Sequence, residues 1–378
     1  MKIQVPKTIL PEEPGVTWDS NVSVQVAEKV RKKRTEEKSM SVKANVGLDV
    51  GTAFLVSARR KGDAVEFKKV RNAFIDVPSE RMSVSALERQ NVSFVVTDDR
   101  PLVVGDHALK LAAILQRTPR RPLCSGIISP NEKEAFPVLY RMIESIVGKP
   151  VKKGEDLLFS IPAPAHDDPT FNTTFHEEIF TKILAKLGYT PQFMTEGLAA
   201  TYATVVNQEE VEGDEAPSDF QITVSMGAGM CNIAITYLMF PVAEFSIPFG
   251  GDWLDLNVSK ALDIALPICI QKKEAESFSL EEPETDIAEA YVAYYRALLD
   301  TLIKAIEQQI IIHDCAETTA EPVAIHFVGG STKPKGFRWL IHDVFSKWDF
   351  PVEIQSISTH EDAERLVAQG LLTALEVR

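Results

Sequence analysis

A chain of 378 residues with 45% hydrophobic and 25% charged content has enough apolar material for a sizeable core divided over two or three compact units. A formal charge of -14 and a pI near 5.1 exclude broad electrostatic binding to nucleic acid, because such a surface repels phosphate. Four scattered cysteines without a Cys-x-x-Cys pair argue against a disulfide framework or a zinc site. No apolar run nears the roughly 18 residues of a bilayer span, so the expectation is a cytoplasmic protein with reduced thiols.

Residues 1–44 are expected to form an extension before the folded body, since Pro6, Pro11 and Pro14 interrupt it and few large apolar side chains are present. Its cluster Lys29-Val30-Arg31-Lys32-Lys33-Arg34 makes the extension +3, against -17 for the remainder. That asymmetry suits an acidic partner, a membrane surface or the chain's own body, and equally a solvated helical face or tail.

From Asn45 the pattern becomes alternating and apolar. Val46, Leu48 and Val50 share a strand face that ends in a turn at Gly51-Thr52, and a second strand follows over 53–59. A hairpin is expected over 93–104 and a helix over 106–116. A helix after Pro137 runs to about Val147, a buried strand covers 157–161, and a helix over 170–187 ends at Gly188. Another helix follows at about 198–206, then an acidic surface loop at 209–215. The outline then repeats, with a strand at 221–226, a glycine turn at 227–229, strands at 231–238 and 242–247, and a helix after Gly250-Gly251. Helices near 284–311 and 361–376 flank a buried strand over 323–328. Two halves that each open with strand, glycine turn and strand predict a duplicated α/β architecture.

A turn between paired strands presents its N–H groups to phosphate oxygens only where side chains do not block the approach, and glycine leaves it open. Gly47-Leu48-Asp49-Val50-Gly51-Thr52 offers such a turn, though alone it also reads as an ordinary hairpin. Gly227-Ala228-Gly229 recurs about 175 residues later, placed to face the first across a cleft. The third turn, Gly329-Gly330-Ser331-Thr332-Lys333-Pro334-Lys335-Gly336, follows a strand and opens a helix, whose free N–H groups suit a polar or anionic ligand.

These motifs resemble those of the actin and heat-shock-chaperone ATPase superfamily. Val46 to Thr52 is similar to its first phosphate motif, Ile325 to Gly336 to its adenosine motif, and Thr195-Glu196-Gly197-Leu198-Ala199-Ala200 to the segment connecting its domains. Arg121-Pro122-Leu123-Cys124-Ser125-Gly126-Ile127-Ile128 resembles bacterial actin-like filament proteins of the MreB and MamK type. No peptide-binding domain follows the core motifs, which favours the actin branch over a complete chaperone. The resemblance implies two domains around a nucleotide cleft, at 45–195 (small subdomain about 77–119) and 196–378 (small subdomain about 252–321). It implies ATP or ADP with Mg2+, and self-association into filaments. Asp49 would lie near the hydrated metal, Gly51, Thr52, Gly227, Ala228 and Gly229 at the phosphates, and Glu196 at the attacking water. Gly329, Gly330 and Ser331 would border the nucleoside, with Lys333 against the adenine. Glu196 also reads as a helix-start carboxylate and Lys333 as a solvated charge.

The second phosphate motif departs from its relatives, which carry Asp-x-Gly-x-Gly-Thr where this chain has Ser225-Met226-Gly227-Ala228-Gly229-Met230. Serine brings no negative charge and methionine no hydroxyl, so nucleotide binding with slow or impaired hydrolysis is expected. Phe249 to Asp255 resembles the family's Gly-Gly-Asp segment. Lys273 and Glu274 are counterparts of an adenine-bordering pair or, alternatively, part of a solvated helix face. The competing functional expectations are a non-polymerising regulatory or adaptor protein with a degenerate site, and a chaperone-like ATPase core.

Overall fold

A computed structural model describes residues 45–78, 83–98, 100–208, 218–315, 321–360 and 362–378. The extension 1–44 with its basic cluster, and the acidic stretch 209–215, lie outside the described residues.

The first half opens with an antiparallel meander of β1 (Val46–Val50), β2 (Phe54–Lys61) and β3 (Ala64–Arg71). A small layer follows, built from β4 (Phe74–Asp76), α1 (Val84–Arg89), β5 (Phe94–Thr97), β6 (Arg100–Val104) and α2 (Asp106–Leu115) around Ile75, Leu87, Val103 and Ala108. After the short hairpin β7 (Leu123–Cys124) and β8 (Ile127–Ile128), α3 (Ala135–Val147) leads to β9 (Asp156–Ile161). Helix α4 (Thr174–Leu187) then leads to β10 (Thr190–Thr195). The sheet order is β10-β9-β1-β2-β3, with β9 parallel to both β1 and β10.

Helix α5 (Glu196–Gln208) carries the chain to the second half, whose meander is β11 (Phe220–Met226), β12 (Cys231–Tyr237) and β13 (Phe240–Ile247). Helices α6 (Gly251–Leu262), α7 (Leu266–Lys273) and α8 (Asp286–Ile312) precede β14 (Val323–Val328), α9 (Phe337–Phe345), β15 (Ile354–Thr359) and α10 (Leu366–Val377). The order β13-β12-β11-β14-β15, with β14 parallel to both neighbours, repeats the first sheet strand for strand. The expected duplication is therefore present in topology. In both sheets the central strand, β1 or β11, has parallel and antiparallel neighbours and ends in a glycine turn.

The helices bury the stripes that their spacing predicts. In α4, Phe180, Ile183, Leu184 and Leu187 face the first sheet, and Gly188 closes the helix in a left-handed conformation at φ +104°. In α8, Tyr291, Tyr295, Leu298, Leu302 and Ile306 pack on the second sheet, and Thr285 caps the start by accepting from Ala288 N–H at 3.2 Å. Three elements start later than expected, the first being α4, at Thr174. Helix α10 begins at Leu366, and the adenosine-like motif enters a 3-10 turn at Gly330–Thr332 before α9 starts at Phe337. Pro334 lacks an N–H and Gly336 is left-handed at φ +82°, which together delay that helix.

Helices α5 and α10 pack against each other through small side chains, including Ala199, Ala200, Ala203 and Ala374. The approach is closest at Gly370, where a Cβ would sit 1.7 Å from the carbonyl oxygen of Ala199. Only glycine allows that crossing. It brings α5, which starts with Glu196, close to α10, which also backs β1.

His176, on the buried face of α4, is 2% exposed, and neither ring nitrogen has a partner among the described residues. Burial pushes its pKa down from 6.5 to about 3. A depressed histidine pKa means the unfolded chain takes up the proton first, so stability falls as pH drops from 6.5 towards 3, by about 1.4 kcal/mol per pH unit. Chemical denaturation over this range should show a shallower acid loss in His176→Leu than in the unmodified protein. An unchanged slope would contradict the assignment.

Candidate functional site

The site gathers at the tips of β1 and β11, where the two halves meet. Asp49, half-buried on β1, accepts a hydrogen bond from Ser160 Oγ of the adjacent β9 at 3.0 Å. Ser160 itself accepts from Val50 N–H at 2.8 Å, so its hydroxyl proton is directed at the carboxylate. Glu196 stands in the first turn of α5, where the helix dipole favours a carboxylate. Its oxygens accept from Ser225 Oγ at 2.7 Å and from Asn232 Nδ2 at 2.9 Å. Glu196 is thus a helix-start carboxylate whose oxygens are held by Ser225 and Asn232.

The electrostatics mark the two acids as a pair. Burial raises Asp49 to about 7 against the pull of Ser160. Burial, then the neighbouring Asp49 charge, raise Glu196 to about 8 against the pull of Ser225. Two neighbouring half-buried carboxyls that raise each other's proton affinity are stabilised by a bound proton or by a cation. That is a fit for a hydrated divalent ion, which needs few protein ligands beside phosphate oxygens. Among the described residues no group of three or more His, Cys, Asp or Glu side chains forms a cage of its own.

The glycine turns converge. Thr52, 6% exposed, accepts from Gly126 N–H at 3.1 Å, and a Cβ on Gly229 would lie 2.4 Å from Thr52 Oγ1. The first two turns are therefore in contact, and position 229 admits only glycine. Met230, 3% exposed, packs beside Gly126 in the same seam. The third turn joins through Ser331, whose Oγ donates to the carbonyl of Gly227 at 2.8 Å. The same carbonyl accepts from Gly251 N–H and that of Ala228 accepts from Asp252 N–H, which seats α6 on the second turn. Arg121 closes the rim with an ion pair in which one guanidinium nitrogen donates to both carboxylate oxygens of Asp252, at 2.8 and 2.9 Å.

Asp49, Thr52, Glu196, Gly227, Ala228, Gly229 and Ser331 are thus brought together, with Gly51 following β1 and Gly329 and Gly330 entering the third turn. Lys333 stands apart, its ammonium paired with Glu364 at 3.2 Å; Glu364 also takes Lys69 at 2.9 Å. Lys273 lies on no solvated face. Its side chain is 12% exposed and its ammonium meets Asp255 at 2.6 Å, and Tyr291 donates to the same carboxylate at 2.7 Å, while Glu274 is exposed. Ser160 and Asn232 were not singled out in the sequence. Their signal was a polar residue inside a buried apolar strand.

A family described as Volactin matches residues 44–375 of the chain. The chain belongs to the Volactin family. No curated protein sequence matches it. Among solved structures, this Volactin-family chain is similar to the MamK double helical filament at 18% identity and TM-score 0.63, covering 88% of this chain and 98% of that one. It is similar to MreB 5 of Spiroplasma citri bound to AMPPNP at 15% identity and TM-score 0.60, covering 87% and 95%. It is also similar to Ta0583, an archaeal actin homolog, at 14% identity and TM-score 0.57, covering 89% and 100%. At these identities the likeness establishes the fold: the Volactin chain has the actin-like, two-domain α/β architecture, as expected from its motifs. Among the described residues no helix is long and apolar enough to cross a membrane.

Proposed function

We propose that this Volactin-family protein is a cytoplasmic, actin-like cytoskeletal protein that binds ATP with Mg2+ between its two halves. It assembles head to tail into filaments and hydrolyses the nucleotide slowly. The observation that carries this reading is the convergence of Asp49 and Glu196 beneath the facing turns at Thr52 and Gly229. Phosphoryl transfer asks a protein mainly for alignment, charge neutralisation and an oriented water. The turns supply backbone N–H groups, Asp49 would hold the hydrated metal, and Glu196 would orient the water. MamK as a double helical filament and MreB 5 bound to AMPPNP support assembly and nucleotide binding by analogy.

In this reading 45–195 and 196–378 are the two domains, with small subdomains near 77–119 and 252–321, and the break falls between Thr195 and Glu196. A phosphate between the first two turns requires them to part from their present contact, so binding is coupled to relative movement of the halves. Gly329, Gly330 and Ser331 border the nucleoside, and Lys333 reaches the adenine only after leaving Glu364.

Asp49→Ala tests the site. Equilibrium titration with fluorescently labelled ATP and Mg2+ should show affinity reduced by about tenfold or more; unchanged affinity would contradict the placement. A second reading, a non-polymerising regulator with a degenerate site, is favoured by Ser225 and Met230, which lack the carboxylate and hydroxyl of the related motif.

A further inference from the structure

Asn232 is wholly buried on β12, and both ends of its amide are used. Its Oδ1 accepts from the backbone N–H of Ala163 at 3.0 Å, and its Nδ2 donates to Glu196 Oε2 at 2.9 Å. The orientation is fixed by chemistry, since an N–H faces one end and a carboxylate the other. Ala163 belongs to the segment that leaves β9 of the first sheet, and this segment is zipped along the edge of the second. Ser246 Oγ donates to Ala163 O at 2.9 Å, Ser246 N–H to Pro164 O at 2.8 Å, and His166 N–H to Ser246 O at 2.8 Å. One side chain therefore touches the first sheet's exit, the second sheet's interior and the acid at the start of α5.

We propose that Asn232 is a positioning residue for ATP hydrolysis, tying the orientation of the Glu196 carboxylate to the seam at which the two sheets join. This rests on the reading that the cleft binds and slowly hydrolyses ATP. In that reaction the water oxygen bonds to the γ-phosphorus while the bond to the bridging oxygen breaks. The electron pair leaves with ADP, and the water's proton passes to Glu196 in its ionised, carboxylate form. The carboxylate must present one oxygen to the water, and Asn232 and Ser225 hold its plane from two directions. Movement at the seam shifts Ala163, and Asn232 transmits that shift to Glu196. Ser225, which stands where relatives carry aspartate, acts here as a neutral donor to Glu196, whereas a second carboxylate would repel it.

The test compares phosphate release and equilibrium ATP binding in the full chain with Asn232→Asp. This variant keeps an acceptor for Ala163 and replaces the donor to Glu196 with an oxygen. Asn232→Ser, small and neutral, serves if the buried charge prevents folding. The expected result is a kcat lowered about tenfold or more with ATP affinity changed less than about threefold, because the residue acts on the transition state and not on nucleotide contacts. A folded variant with the unmodified protein's kcat would overturn the inference while leaving the nucleotide site intact. Equal losses of kcat and affinity would reduce Asn232 to a general structural role and also overturn it. Absence of phosphate release from the unmodified protein would overturn the hydrolysis reading, and this inference with it.

Discussion

Glu196→Gln is expected to lower phosphate release by about 100-fold or more while making the nucleotide-free protein more stable. The two effects have one cause. Glu196 is held among Ser225, Asn232 and Asp49 in a site where burial, and then the Asp49 charge, raise its pKa from 4.5 to about 8. A folded-state pKa above the unfolded value contributes stability that is full below 4.5 and is lost as pH rises through about 8. Near neutral pH and above, the unmodified protein therefore bears the strain of an acid that would rather ionise in water. An amide never ionises. Its oxygen keeps the Asn232 bond, and the Ser225 hydroxyl turns to accept from its NH2 group. The half-buried position retains some solvation, so the gain expected near pH 8 is about 2 kcal/mol, fading towards pH 5. Denaturant unfolding at the two pH values, beside a phosphate-release assay, checks both effects. A variant no more stable than its parent at high pH would contradict the strained-acid account.

The second large effect concerns packing and runs against helix propensity. Within α10, replacing Gly370 by alanine would ordinarily stabilise the helix by about 1 kcal/mol. Here the new Cβ would lie 1.7 Å from Ala199 O, 2.7 Å from its carbonyl carbon and 3.1 Å from Ala203 N. All three are backbone atoms of α5, which cannot swing aside as a side chain would. Gly370→Ala is therefore expected to cost about 3 kcal/mol by forcing α5 and α10 apart. Because α5 positions Glu196 and α10 backs β1 beneath Asp49, nucleotide affinity should fall with stability. A variant at least as stable as its parent by denaturant unfolding would refute this contact.

The central strands were the most legible parts of the fold, because they are buried on both sides. Val323 to Val328 forms a strand with the expected bounds, and all six residues are buried. The strand-turn segments ending at Gly51 and Gly227 were legible for the same reason. The strands that went unexpected are edges or next to solvent. β3 is a largely exposed Ala-Val-Glu-Phe-Lys-Lys-Val-Arg, β10 carries Pro191 and Gln192, and β15 is rich in serine and threonine. With a ladder on one side only, such strands need little apolar alternation.

The candidate site divides similarly. Asp49, Thr52 and the glycine turns stand out through local spacing, and Glu196 was expected beside them from the resemblance of its segment to the family's domain connection. The groups that orient the acids are long-range: Ser160 reaches Asp49 across 111 positions and Asn232 reaches Ala163 across 69. No local pattern carries such pairings. The sequence also marks Ser225 as a lost carboxylate, whereas its position reveals what it gained, a hydrogen bond to Glu196. Lys273 shows the converse error, since Asp255 lies 18 residues away in sequence but 2.6 Å away in space.

In the proposed function, the facing turns at Thr52 and Gly229 hold a nucleotide that governs assembly. Electron microscopy and pelleting of the full chain, with Mg-ATP and without nucleotide, test it most directly. Filaments that form with Mg-ATP and are lost without nucleotide are the predicted result; protein that stays monomeric at high concentration under every nucleotide condition would contradict it.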